Sequence, residues 1–144
     1  MTGNKRVVVD AGPIVAVVHD RDQWHATAVA LFSQLPKPFY TCESVVSEAC
    51  YLLEGLSRHR EQVMGLIAAG VIKLDFALVH EVERVRGLMK KYDDVPMSLA
   101  DACLVRMTEL TEQSMLFTFD GDFQIYRRNR GQRIETIPGT NLNV

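Results

Sequence analysis

The sequence predicts an α/β protein: a three-layer α/β/α sandwich around a central, mostly parallel sheet. Two short apolar runs, Val7-Val8-Val9 and Met115-Leu-Phe-Thr-Phe119, read as buried strands and are separated by helical patterns. Each is followed by an aspartate, Asp10 and Asp120. Strands joined through helices pair in parallel by right-handed crossovers, and the carboxyl ends of such strands form the crevice where ligands bind.

In chain order, Arg6 to Asp10 is the first strand, and Ala11-Gly12-Pro13 turns into a helix through Val18, with Pro13 suited to a first helical turn. Asp22 is a candidate cap for a helix from Trp24 to Leu35, with Ala26, Val29, Ala30 and Phe32 as its packing stripe. Pro36 and Pro38 stop that helix. Phe39 to Cys42 is a short strand, Ser44 caps a helix through Leu56, and Arg58 to Gly70 is another helix closed by glycine. Val71 to Phe76 is a strand, and Ala77 to Tyr92 an amphipathic helix with Val79, Val82, Val85, Leu88 and Met89 at helical spacing. Ser98-Leu-Ala-Asp101 opens an apolar helix. The run Met115 to Phe119 comes next, then an arginine-rich segment, Arg127 to Arg133, and a last strand, Ile134 to Ile137. The tail after Pro138 is expected to be dispensable.

At 144 residues the chain has the length of one domain, residues 1–144, and can bury a real core without disulfides or structural metal. Its three cysteines, Cys42, Cys50 and Cys103, are widely spaced and read as buried reduced thiols. The four histidines, His19, His25, His59 and His80, form neither an i,i+4 pair nor an H-E-x-x-H motif, which argues against zinc catalysis; His25, beside Trp24, reads as a packing residue. The run Val7 to Val9 is too short for a signal peptide's apolar region, and no run approaches a membrane span, so a cytoplasmic location without membrane contact is expected. A net charge of −2 argues against coating nucleic acid through bulk positive charge. It leaves room for an enzyme that concentrates its negative charge at one site.

The acids define that site. Asp10 and Asp120 end strands, Asp122 follows one residue beyond Gly121, Asp101 begins a helix, and Glu48 sits on a helix at the margin of an apolar stripe beside Val45 and Leu52. Singly, each has an ordinary explanation; Asp101, for example, fits a shortened capping box with Ser98. Together they cannot share a cleft ionised without a compensating cation. No lysine or arginine lies in the motifs around Asp10, Glu48 or Asp120, and Arg106 falls on another face of its helix from Asp101. A hard divalent ion with oxygen ligands, Mg²⁺ or Mn²⁺, fits. Such an ion supports in-line hydrolysis of a phosphodiester, and the segment from Arg127 to Arg133 could contact phosphates at the rim, although a run of charge between elements is also what a solvated loop looks like.

Val-Val-Val-Asp10-Ala-Gly-Pro-Ile-Val-Ala, Ser-Val-Val-Ser-Glu48, Met-Ser-Leu-Ala-Asp101-Ala-Cys-Leu-Val and Phe-Thr-Phe-Asp120-Gly-Asp122-Phe resemble, in order, the four motifs of PIN-domain ribonucleases, particularly VapC-type toxins. The resemblance spans nearly the whole chain. It implies a Mg²⁺- or Mn²⁺-dependent endoribonuclease in which Asp10, Glu48, Asp101 and Asp120 are catalytic and Asp10, Asp101, Asp120 and Asp122 hold metal. Thr118 matches a hydroxyl position that orients an acid or water and, with Arg127, Arg128 and Arg130, makes up the expected substrate-binding set. The resemblance also implies an RNA substrate, a homodimer and an antitoxin partner, with the helical pair from Ser44 to Gly70 supplying much of both protein surfaces.

Two other readings use the same residues. One is a PIN-like module that binds RNA or protein without cutting, against which the intact acids argue. The other is a receiver-like phosphoacceptor domain, which needs a second acid beside Asp10 and a late lysine; Ala11 follows Asp10, and no lysine follows Lys91. A serine hydrolase is disfavoured because Ser47 and Ser98 lack a G-x-S-x-G setting.

Overall fold

A computed structural model describes residues 5–139. Five strands form the main sheet: β1 (Arg6–Val9), β2 (Phe39–Thr41), β3 (Ile72–Leu74), β4 (Ser114–Phe117) and, counting on past a small hairpin, β7 (Thr136–Ile137). Their order is β3-β2-β1-β4-β7, and every pairing is parallel. The hairpin, β5 (Arg127–Arg128) against β6 (Gln132–Arg133), is antiparallel. Six helices connect the strands: α1 (Ala11–Val18), α2 (His25–Gln34), α3 (Glu43–Leu52), α4 (Ser57–Ala68), α5 (Leu78–Lys91) and α6 (Leu99–Leu110).

Strand β1 is central because its valines suit a position covered on both faces; Val7, Val8 and Val9 are at most 1% exposed. Val9 lies beside Phe117 of β4. The chain leaves β1 toward β2 on one side and returns to β4 on the other, so the strand order reverses between β1 and β4. That reversal opens a crevice at their carboxyl ends. Right-handed crossovers put α1 to α4 on one face and α5 and α6 on the other; in agreement, α1 packs on α2, α3 and α4, and α5 packs on α6.

Several expectations change. The first strand stops at Val9, and Asp10 becomes the N-cap of α1. Helix α2 starts at His25, after a turn in which the Asp22 carboxylate accepts from Trp24 N. Its inward residues are Ala28 and Phe32, flanked by Leu31 and Leu35, whereas Ala26, Val29 and Ala30 are exposed. Cys42, one residue beyond β2, is the N-cap of α3 in place of Ser44, and the helix ends at Leu52. Gly70 takes φ +79° just beyond α4, the left-handed closure that glycine permits. In α5 only Val85 and Leu88 are buried, while Val79, Val82 and Met89 face outward. The arginine-rich segment folds into the β5–β6 hairpin, whose turn needs positive φ at Asn129 and Gly131. Of the tail after Pro138, residues 140–144 lie outside those described. Cys42 and Cys103 are buried free thiols, and Cys50 is half-buried.

Candidate active site

The crevice between β1 and β4 gathers the expected acids. Asp10 is 7% exposed and leaves β1 directly into α1, so its carboxylate meets the first helical amide: Ala11 N donates to Oδ1 at 2.7 Å. Oδ2 accepts from the Thr118 hydroxyl at 2.8 Å, across the β1–β4 pairing. The buried Thr118 Oγ1 in turn accepts from Asp120 N at 3.0 Å. One hydroxyl thus ties the strand ends that carry Asp10 and Asp120. Asp120 caps a 3-10 turn, Gly121–Gln124, by accepting from Asp122 N at 2.9 Å.

Asp101 does two things. The capping box is complete: Asp101 N donates to Ser98 Oγ at 3.0 Å, and Ser98 N donates to Asp101 Oδ2 at 3.3 Å. The same Oδ2 accepts from the Tyr126 hydroxyl at 3.1 Å. Tyr126 is wholly buried and packs edge-on against Phe123 and Tyr92. Its role escaped the sequence reading, because only the 3-10 turn brings it back to α6. Glu48, from α3, is exposed at the cleft.

The electrostatics follow from burial and from the repulsion of the acids for one another. Burial pushes the Asp10 carboxyl up to about 7; bonds from Thr118 and Ala11 oppose this, and Glu48 and Asp101 reinforce it. Glu48 is raised by burial, then by Asp101 and Asp120. Asp101 is raised by burial against the bonds from Ser98 and Tyr126, with Asp120 adding repulsion. The Tyr126 phenol is raised by burial and by its proximity to Asp101, Asp122 and Asp120. These mutual influences bring Asp10, Glu48, Asp101, Asp120 and Asp122 into one electrostatic neighbourhood. Among the described residues, none of the ion pairs involves any of them.

The donor set is all oxygen and net negative, which suits a hard divalent ion. The acids stand apart: among the described residues, the trio presenting one ligand atom each within 4.8 Å is His19, Asp20 and His59, and no three of the cleft acids do so. An ion in the cleft would reach some of them through water, as Mg²⁺ commonly does.

The arginines expected at the rim divide. Arg127 Nη1 donates to the carbonyls of Gln124, Ile125 and Tyr126, closing the 3-10 turn. Arg128 Nη2 donates to Thr108 O at 2.5 Å and Thr111 O at 3.4 Å, holding the end of α6. Arg130 is exposed and engages no acceptor among the described residues. Beside the acids, Trp24 stacks on Phe119 with ring centres 5.0 Å apart. Phe119 also lies against Gly12, where a Cβ would stand 3.7 Å from its ring. His25 is a packing residue, its Nδ1 2.6 Å from Ala16 O.

Residues 7–129 match the sequence family described as the PIN domain. No protein of curated function matches the sequence significantly. Among solved structures, the VapC20 toxin of Mycobacterium tuberculosis, described as cleaving the sarcin–ricin loop, superposes with a TM-score of 0.74 at 21% identity, over 83% of this chain and 93% of its own. That likeness is one of fold.

Proposed function

The chain belongs to the PIN domain family, and from that premise we propose that it is a divalent-metal-dependent endoribonuclease acting as the toxin of a toxin–antitoxin pair. The observation that carries this is Asp10: a buried carboxyl, pinned by Thr118 and Ala11, pushed up to about 7 in a cleft whose acids form no ion pair among the described residues. A fold that accepts such a group without compensation gains by binding an external cation. Asp10, Asp101, Asp120 and Asp122 would hold Mg²⁺ or Mn²⁺, and Glu48 would sit at the edge of that set. When bound, the ion supplies Lewis-acid polarisation of a phosphate oxygen and acidifies a water.

The chain's own residues do the rest. Thr118 fixes the Asp10 carboxylate and the Asp120 backbone in one frame, and Tyr126 fixes Asp101, so the acids are held before RNA arrives. Glu48, exposed at the margin of the acids, is placed to take the proton of an attacking water. The Trp24–Phe119 pair offers an aromatic wall for an unpaired base. Phosphate contact falls chiefly to Arg130, because the guanidinium groups of Arg127 and Arg128 already serve backbone carbonyls. Thr118 would act on the substrate only through Asp10.

A homodimer and an antitoxin complete the proposal. Support comes from apolar side chains exposed on α3, α4 and the link between them: Tyr51 is 71% exposed and Leu52 53%, with Leu56 and Met64 nearby. The described residues include no helix long and apolar enough to cross a membrane; a toxin of this kind would act in the cytoplasm. The deciding experiment incubates the purified chain with structured RNA plus Mn²⁺, Mg²⁺ or EDTA. Cleavage should appear only with metal and vanish in Asp120→Asn; metal-independent cleavage, or an Asp120→Asn protein as active as the parent, would sink the assignment.

A further inference from the structure

A second cluster of ligating side chains lies away from the acids. His19 closes the carboxyl end of α1, Asp20 follows it, and His59 is the third residue of α4. One ligand atom from each lies within 4.8 Å of the others. The two imidazole rings stand 5.0 Å apart, tilted by 45°. Helix α1 spans eight residues, about 12 Å of rise, so the cluster occupies the end opposite Asp10.

Three features fit a metal site and not a packing contact. His59 Nδ1 lies 3.1 Å from Gln62 Oε1. Because that oxygen can only accept, Nδ1 carries the proton and Nε2 keeps its lone pair free, the orienting bond that metal-bound histidines usually have. His19 Nδ1 is buried and has no partner among the described residues, a cost that a bound cation would remove. Asp20 is exposed and adds a carboxylate oxygen to the two imidazole nitrogens.

We propose that His19, Asp20 and His59 form a binding site for a borderline transition-metal ion, Zn²⁺ above all, chemically distinct from the oxygen-only cleft. Imidazole and carboxylate donors select Zn²⁺ over Mg²⁺. A tetrahedral zinc ion places its ligand atoms about 3.3 Å apart, so modest side-chain rotation closes the set and leaves a fourth position to water. Bound there, the ion clips the end of α1 to the start of α4. Gln62, the partner of His59, also lines a neighbouring groove of about 440 Å³ with Val17, Val18, Phe32 and Leu66.

The test titrates the full chain with Zn²⁺ against a chromogenic chelator and records the visible spectrum with Co²⁺. The expected result is one equivalent bound with the intense absorption of tetrahedral Co²⁺, together with a higher melting temperature in Zn²⁺. Both should persist in Asp120→Asn. His19→Gln and Asp20→Asn should weaken binding by about tenfold or more, as should His59→Gln if circular dichroism shows it folded. Should the buried His59 be needed for folding, the His19 and Asp20 variants decide. Zn²⁺ binding that follows the acid variants, or that is unchanged by His19→Gln and Asp20→Asn, would overturn the site. Failure here leaves the nuclease reading standing, since that rests on Asp10 and its cleft.

Discussion

Asp10 and Glu109 are both buried carboxylates, and the fold treats them in opposite ways. The Glu109 side chain is 1% exposed. It receives Arg84 through Nε at 2.8 Å and Nη2 at 2.5 Å, Arg106 at 3.2 Å, and the backbone of Asn129 at 2.5 Å. Burial pushes its pKa up, but the bonds and charges of Arg84, Asn129 and Arg106 together outweigh it, and the net shift is downward. Asp10 has amide and hydroxyl donors only, and its net shift is upward. A carboxylate surrounded by its own cations is a structural element; one buried without them is, on the function proposed above, where an external ion would bind.

The largest break in this contrast is Asp10→Asn. RNA cleavage should fall on the order of 10³-fold or more, the scale of losing a group that acts in the transition state. At pH 8 without metal, the same protein should melt higher than the parent, because an uncompensated buried charge is gone. Calorimetry beside a cleavage assay checks both; a variant that is inactive and also much less stable would make Asp10 structural.

The pH profile follows. Burial pushes Asp10 from its ordinary 3.8 up to about 7 in the folded state, so the folded state binds the extra proton. Its contribution is fully present below about pH 4 and is lost as pH rises to about 7, by up to on the order of 4 kcal/mol. Denaturation in EDTA across that range should show the decline, and Asp10→Asn should flatten it. Glu109 works in the other direction: its contribution is present above pH 4.5, its ordinary value, and is lost in acid.

A smaller effect is expected from Glu109→Gln, which leaves Arg84 without its carboxylate and Arg106 with Glu81 alone. About 1–3 kcal/mol of stability should go, discounted because Arg84 is 37% exposed. Cleavage per folded molecule should not change, and a loss of turnover would join this network to the site. The smallest effect is that of Arg130→Ala. Binding of RNA should weaken a few-fold and its salt dependence should ease by about one phosphate contact, with stability within about 0.5 kcal/mol of the parent.

What could be read in advance was the part written locally. Asp10, Asp101 and Asp120 each mark the end or start of an element, and the order of strands and helices brings such ends together. Side chains whose meaning comes from distant partners were hidden. Tyr126 reaches Asp101 only through the 3-10 turn, and His19 and His59 belong to different helices. The stripe on α5 was misplaced for a physical reason. Glu81 and Arg84 face α6, where Arg106 Nε donates to Glu81 at 2.7 Å and Arg84 pairs with Glu109. The inward line is therefore Glu81, Arg84, Val85 and Leu88, and polar residues occupy places that an apolar count assigns to Val82 and Met89. In α2, the true stripe begins at Ala28, too small to stand out against its alanine neighbours.

The completed capping box at Asp101 bears on how this protein can lose its proposed activity. Replacing Asp10 by Asn removes a buried charge while its amide oxygen can still cap α1, so drift toward an inactive copy by that route meets little folding penalty. At Asp101 the same carboxylate starts α6 and receives Tyr126, so a substitution that disables the cleft also frays a helix that packs on β1 and β4. Inactive descendants that remain well folded should therefore more often have changed at Asp10 than at Asp101.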